Sequence, residues 1–314
     1  MIMKHEEEKV KGEKAMEVEI SERYINPYTD FGFKKLFGTE LNKDLLISFL
    51  NALFKDKLEI TDLTYLNNEH LGDGITDRRA VFDVYCQLSD DSRIIVEMQK
   101  TEQAYFKDRS IYYSTFPIRE QGQKGEWDYH LKDVYTVGVL NFCFPDGEYP
   151  ADSMIHEIKL KDVEDNHVFY DKLTFVYLEM PKFKKKEEEL DTMIDKWMFA
   201  LTNLSRLLER PKALQERIFT RLFEQAEVAR FTPVEREEYV ASKKDYWDYY
   251  STMKTSFDKG REEGREEGRK EGREEGEHIK ALDTARKMRS DGIPLESIAR
   301  YTGLTVEEIA SISG

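Results

Sequence analysis

Hydrophobic residues recur along this chain with two different periods, and the changes of period predict its elements. Residues 30–37 carry Phe33, Leu36 and Phe37 at helical spacing, and residues 43–54 repeat the pattern with Leu46, Phe49, Leu50, Leu53 and Phe54 on one stripe. Asn26-Pro27-Tyr28-Thr29-Asp30 supplies turn and cap residues ahead of the first helix. Residues 60–66 then predict a first strand, and the polar residues 67–76 a loop. In residues 79–88 the period is two. Val81, Asp83, Tyr85 and Gln87 fall on one face, and Phe82, Val84 and Cys86 on the other. Ser89-Asp90-Asp91-Ser92 is a turn, and residues 93–99 return with Ile95, Glu97 and Gln99 on one face. Residues 101–115 predict a helix packed through Ala104, Phe106, Ile111 and Tyr113. Residues 133–144, 154–160 and 173–178 predict three more strands. After Pro181 helix formers dominate, and residues 184–208, 212–228 and 233–257 predict three helices.

A different pattern follows. Glycine recurs at 260, 264, 268, 272 and 276, and arginine at 261, 265, 269 and 273, with glutamate between. Positions four apart drift by about 40° on a helix, so each residue type winds slowly around it. Pairs such as Glu262 with Arg265 support helix, while each glycine costs up to about 1 kcal/mol. A solvated, semi-flexible helical linker is the favoured reading, and a self-associating helix the alternative. Residues 278–314 have a helix-turn-helix-like register. Ile298 and Ala299 precede Gly303 at the turn, Thr305 caps the next helix, and Leu304 and Ile309 are core positions. The second helix of the pair holds Glu307 and Glu308 and no Lys or Arg, which suits an interaction element better than base reading.

Composition narrows the function. With 314 residues, 39% of them hydrophobic, the chain can form a sizeable core. Its formal net charge of −15 excludes a protein that coats nucleic acid by bulk attraction, but not one with a local basic groove. No apolar run approaches the roughly 18 residues of a membrane span. Residues 1–22 read as a charged tail without the apolar stretch of a secretory signal. Cys86 and Cys143 lie in apolar, strand-like runs and read as buried, reduced thiols, which fits a cytoplasmic protein. His70, His130, His156 and His167 show no metal-ligand spacing and read as surface or loop residues.

The hairpin carries the candidate chemistry. If its turn centres near Asp90, residues whose numbers sum to about 180 oppose each other, so Asp83 faces Glu97. Opposed Cβ atoms lie about 4.5–5.5 Å apart, where two bare carboxylates repel. A hard divalent cation such as Mg²⁺ or Mn²⁺ resolves the repulsion. Gln99 lies two residues on, on the same face. The alternation by itself fits an ordinary amphipathic hairpin with its polar side in water even better.

The surrounding text changes that balance. Residues 26–37 (Asn-Pro-Tyr-Thr-Asp-Phe-Gly-Phe-Lys-Lys-Leu-Phe), 82–86 (Phe-Asp-Val-Tyr-Cys), 95–99 (Ile-Val-Glu-Met-Gln) and 106–113 (Phe-Lys-Asp-Arg-Ser-Ile-Tyr-Tyr) resemble the recombination-promoting nuclease, or transposase, family of the PD-(D/E)XK superfamily. The resemblance covers about residues 25–255. It implies an α/β, restriction-endonuclease-like core with a central mixed sheet flanked by helices and a C-terminal helical extension. The implied organisation is a tail (1–22), a nuclease core (23–180), a helical extension (181–258), the repeat linker (259–277) and a small helical element (278–314). The implied activity is Mg²⁺-dependent cleavage of DNA, with Mn²⁺ as a substitute and a link to recombination or mobile DNA. Asp83 and Glu97 are the implied metal ligands, and Gln99 stands where the superfamily usually has Lys. Asp30 matches a frequent N-terminal acid, with a plain helix N-cap as its equal alternative. Arg109, Lys34, Lys100 and Tyr112 are candidate DNA-phosphate contacts, with Lys35 and Lys107 as further basic candidates. A neutral Gln99 leaves open a catalytically weak member that binds DNA or protein. Homo-oligomer formation through the C-terminal helical segment is the other partner expectation.

Overall fold

A computed structural model of the chain describes residues 22–70, 80–122, 128–145 and 147–312. The expected tail, apart from Glu22, and residues 71–76 of the expected loop lie outside them. The chain forms two compact units, one up to Trp247 and one from Asp248 onward.

The first unit opens with helices α1 (Asp30–Phe37) and α2 (Lys43–Leu53). Next come strands β1 (Leu63–Tyr65), β2 (Glu69–His70), β3 (Ala80–Val81), β4 (Val84–Leu88) and β5 (Arg93–Gln99). Helix α3 (Phe106–Glu120) then leads to β6 (Val134–Leu140), β7 (Ile155–Lys161) and β8 (Val168–Glu179). The helices α4 (Met193–Asn203), α5 (Arg217–Ala226) and α6 (Pro233–Ser290) follow. Six strands make one mixed sheet in the order β1-β4-β5-β6-β8-β7, and β2 and β3 pair separately. The β1–β4, β4–β5 and β7–β8 pairs are antiparallel. The β5–β6 and β6–β8 pairs are parallel. Helix α3 is the crossover between parallel β5 and β6, as parallel neighbours require.

Both faces of the sheet are covered. Val84, Cys86, Ile94, Val96 and Met98 face the main core, which they share with α1, α2, α4 and α5. Trp197 of α4 is fully buried and packs against Phe37, Phe49 and Phe219, with ring centroids 5.8, 5.9 and 5.1 Å away. The helices after Pro181 therefore share one core with the N-terminal helices. On the other face Tyr85 and Ile95 meet Phe116 of α3.

α3 begins at Phe106, five residues later than the spacing predicts, because Tyr105 has a left-handed backbone (φ +63°). Its packing side holds Phe106, Ser110, Ser114, Phe116 and Pro117, while Ile111 and Ala104 are exposed. The serines let the helix lie close to the sheet, and Ser110 Oγ sits 2.7 Å from the Tyr177 hydroxyl. Two further sequence expectations fail on burial. Cys143 is exposed in the loop after β6, while Cys86 is buried as expected. His156 is buried on the inward side of edge strand β7, its Nε2 2.5 Å from Glu179 Oε1.

The turn before α1 is built from side chains. Asn26 Oδ1 accepts from the Tyr28 amide (2.9 Å), and Thr29 Oγ1 accepts from the Gly32 amide (3.0 Å). Thr29 is thus the N-cap and Asp30 the first helical residue, which corrects the reading of Asp30 as the cap. Gly32 has no room for a side chain: a Cβ there would meet Asn26 O at 2.1 Å and Thr29 Oγ1 at 2.6 Å. Gly32→Ala is expected to lower the unfolding free energy by about 1–3 kcal/mol through overpacking, measured by urea denaturation. Unchanged stability would mean that this turn relaxes freely.

In the second unit the glycine repeat is helical throughout. α6 runs unbroken through it, well past the expected end at 257, and residues 251–280 are all exposed. Nothing lies within 4 Å of a Cβ added at any of the five repeat glycines. Helices α7 (Leu295–Thr302) and α8 (Val306–Ser311) enclose a small core of Ala285, Ile298, Leu304, Ile309 and Ile312. Gly303 ends α7 at φ +76° and Thr305 caps α8, at the positions the sequence pattern marked, and Glu308 completes a capping box with Thr305.

Candidate active site

The β4–β5 ladder runs from Gln87↔Arg93 to Val84↔Val96. Their numbers sum to 180, the register expected from the turn. At Asp83 the ladder stops and side chains replace it. The Met98 amide donates to Asp83 Oδ2 at 2.7 Å, and the Asp83 amide donates to Glu97 Oε1 at 3.2 Å. Each carboxylate thus holds a backbone N–H on the other strand, and the two acids are locked side by side. The backbone turns at this point, so Phe82 joins Tyr85 and Phe116 instead of facing away from Tyr85 as strict alternation predicts.

Glu97 is 9% exposed and Gln99 7%. Gln99 Nε2 donates to Glu97 Oε2 at 3.0 Å. Gln99 Oε1 in turn accepts from Arg109 Nη2 of α3, and Arg109 Nη1 donates to Gln103 Oε1. Gly138 of β6 is the register partner of Glu97. A Cβ at Gly138 would meet Tyr177 Cδ1 at 2.9 Å, so glycine keeps that side open. Glu97, Gln99, Arg109, Tyr113 and Gly138 line a cavity of about 10 Å³, about the size of one water.

Burial and mutual repulsion strain the two acids. Burial is the larger cause for both. Asp83 is pushed up to about 6, by burial and by the Asp30 charge, against the Met98 amide and the charges of Lys34 and Lys100. Glu97 rises well above the ordinary carboxylate range through burial and then the Asp83 charge, against the Asp83 amide, Arg109 and Lys34.

Asp83 also opens onto a cleft of about 810 Å³ between α1 and α6, where Asp30, Lys34, Lys35 and Lys100 line the wall. Opposite them stand Glu235, Glu238 and Asp245 of α6. Lys34 pairs with Asp30 at 3.0 Å, and Lys35 with Glu235 at 2.5 Å. The fold therefore gathers Asp30, Lys34, Lys100, Asp83, Glu97, Gln99 and Arg109. It leaves two candidates aside. Tyr112 is exposed and packs edge-on against Phe116, while its neighbour Tyr113 reaches the cavity beside Glu97. Lys107 pairs with Glu148 and lies over the Phe144 ring. Gln103 and Gly138 gave no signal in the sequence. Their roles depend on the crossover and the parallel register, which no local pattern encodes.

Among the described residues no group of three or more His, Cys, Asp or Glu is placed to hold a metal ion. Two adjacent carboxylates still suit Mg²⁺, which is bound through one or two carboxylates and keeps several waters. Asp83 Oδ1 has no hydrogen-bond partner among the described residues, and burial above all holds both acids above the ordinary carboxylate range.

A six-stranded mixed sheet flanked by helices, with a long C-terminal helix, matches the PD-(D/E)XK restriction-endonuclease-like α/β fold. The chain belongs to the PD-(D/E)XK nuclease family transposase group, which it matches over residues 27–256. No curated protein and no solved structure matches it. Nucleases of this kind generally use divalent metals. No helix among the described residues is long and apolar enough to cross a membrane.

Proposed function

We propose that this chain is a Mg²⁺-dependent DNA endonuclease that hydrolyses phosphodiester bonds during DNA recombination or the movement of mobile elements. One observation carries the reading. Asp83 and Glu97 are locked together by each other's backbone amides, and both are pushed toward protonation beside a lysine-lined cleft. A fold gains nothing from two such acids unless a cation joins them.

In this reading Asp83 and Glu97 hold Mg²⁺ or Mn²⁺. That ion, when bound, supplies a nucleophilic water at neutral pH and charge to stabilise the phosphate in the transition state. Asp30 accepts a hydrogen bond from water in the cleft, with Lys34 holding its carboxylate. Lys34 and Lys100 contact backbone phosphates on the cleft side, and Arg109 contacts them on the α3 side. These contacts orient the strand and carry no sequence information themselves.

The test is a supercoiled plasmid incubated with the purified chain. Nicked or linear DNA is expected with Mg²⁺ or Mn²⁺ and not with EDTA. Equal cleavage in EDTA, or none with any divalent ion, would sink the reading. Gln99 favours a second one, because a neutral amide supplies no charge to the phosphate. DNA binding without cleavage would select that alternative, a member that acts as a binding module.

A further inference from the structure

Gln99 has both polar ends engaged, Nε2 by Glu97 and Oε1 by Arg109. The Arg109 guanidinium is gripped a second time by Gln103, in the loop between β5 and α3, and its carbon lies 5.9 Å from the centroid of the Tyr113 ring. Both grips are neutral amide oxygens, so they orient the guanidinium without neutralising it. Lys34, Lys35 and Lys107 each have a carboxylate partner, whereas Arg109 has no ion pair among the described residues. A guanidinium has five N–H donors in a planar fork suited to two phosphate oxygens. Two are used here, and the other three have no partner among the described residues.

We infer that Arg109 is the fixed cation of this centre and binds the phosphate that is cut. Gln99 and Gln103 are positioning residues that aim it. A lysine at 99 would carry the charge on the strand itself; with glutamine there, the charge stands one residue farther out, on α3. Gln99 thus acts on neither water nor phosphate directly. It couples the acid pair to the cation, since a shift of either end moves the other. This rests on the nuclease reading above and replaces the weak, neutral role that Gln99 otherwise has in it.

The test uses the full chain and two readouts. In plasmid cleavage with Mg²⁺, Arg109→Ala is expected to lose about 100-fold or more in rate, the scale for removing one preorganised transition-state donor. Adding Gln99→Lys to that variant is expected to regain about tenfold, because it returns a cation to the centre. In metal-free DNA binding, followed by fluorescence anisotropy over a salt series, Arg109→Ala is expected to lower the slope of log affinity against log salt by about one. Circular dichroism checks that each variant is folded. A folded Arg109→Ala protein with wild-type rate and slope overturns the inference. So does a double variant no faster than Arg109→Ala alone. If the wild-type chain binds DNA without cutting it, the nuclease reading fails, and an unchanged slope would then overturn the phosphate contact as well.

Discussion

Asp83→Asn is expected to cut DNA about a thousandfold more slowly than the wild-type chain while remaining folded. The two consequences separate because the side chain does two jobs. As an acceptor, Asp83 Oδ2 satisfies the Met98 amide where the β4–β5 ladder ends. Asparagine keeps an acceptor oxygen there, so the strand junction holds. Alanine would leave that donor unsatisfied, at about 1–3 kcal/mol, and would confuse a folding defect with a catalytic one. As a charge, Asp83 supplies half of the acid pair, which a neutral amide does not replace. Loss of several kcal/mol of transition-state stabilisation corresponds to about three powers of ten in rate. The measurement is single-turnover cleavage of a defined DNA in Mg²⁺, with thermal unfolding followed in parallel. Wild-type cleavage by folded Asp83→Asn would remove the acid pair from the mechanism.

Glu97→Gln is expected to abolish cleavage and yet make the metal-free protein more stable at pH 8. In the unfolded chain Asp83 and Glu97 ionise near ordinary carboxylate values, around pH 4. In the fold Asp83 ionises at about 6, and burial and the Asp83 charge hold Glu97 well above its ordinary value. As pH rises from about 4, the unfolded chain therefore loses protons first and stability falls. The fall continues through the folded values, and above them the whole penalty is present. For Asp83 alone the rise to about 6 corresponds to about 3 kcal/mol. Glutamine at 97 removes one charge and the repulsion it exerts on Asp83. It can still accept from the Asp83 amide, but its NH₂ meets Gln99 Nε2, a lost hydrogen bond of about 1 kcal/mol. A net gain of about 1–2 kcal/mol at pH 8, turning into a loss of about 1 kcal/mol near pH 4 where only the missing hydrogen bond remains, is the expected difference. Chemical denaturation followed by tryptophan fluorescence measures it, since Trp197 lies in the core shared by sheet and helices. Mg²⁺ at pH 8 is expected to stabilise the wild type more than the variant. A difference independent of pH would show that the acids are not strained.

The sequence by itself determined several of the elements and the register that matters most. Phe33, Leu36 and Phe37 marked α1, and alternation around a polar turn marked β5 to the residue. The turn at Asp90 placed Asp83 opposite Glu97, because a hairpin's register follows from local chain geometry. Gly303 and Thr305 marked the end of α7 and the cap of α8, since capping needs only a few neighbouring residues. Recognition of the family added the mixed sheet, which periodicity does not specify.

Tertiary structure alone decided the rest. The backbone turns at Phe82 because the ladder ends there, and no local pattern announces where pairing stops. Burial of His156 and exposure of Cys143 depend on which side of an edge strand or loop the core lies. Arg109 reaches Gln99 only because α3 crosses over to make β6 parallel to β5, and Gly138 lies beside Glu97 only through that parallel register. Such pairings join residues far apart in sequence, so they follow from how elements pack. The acid pair was legible in the hairpin, while its cation and its open side were fixed by the fold around it.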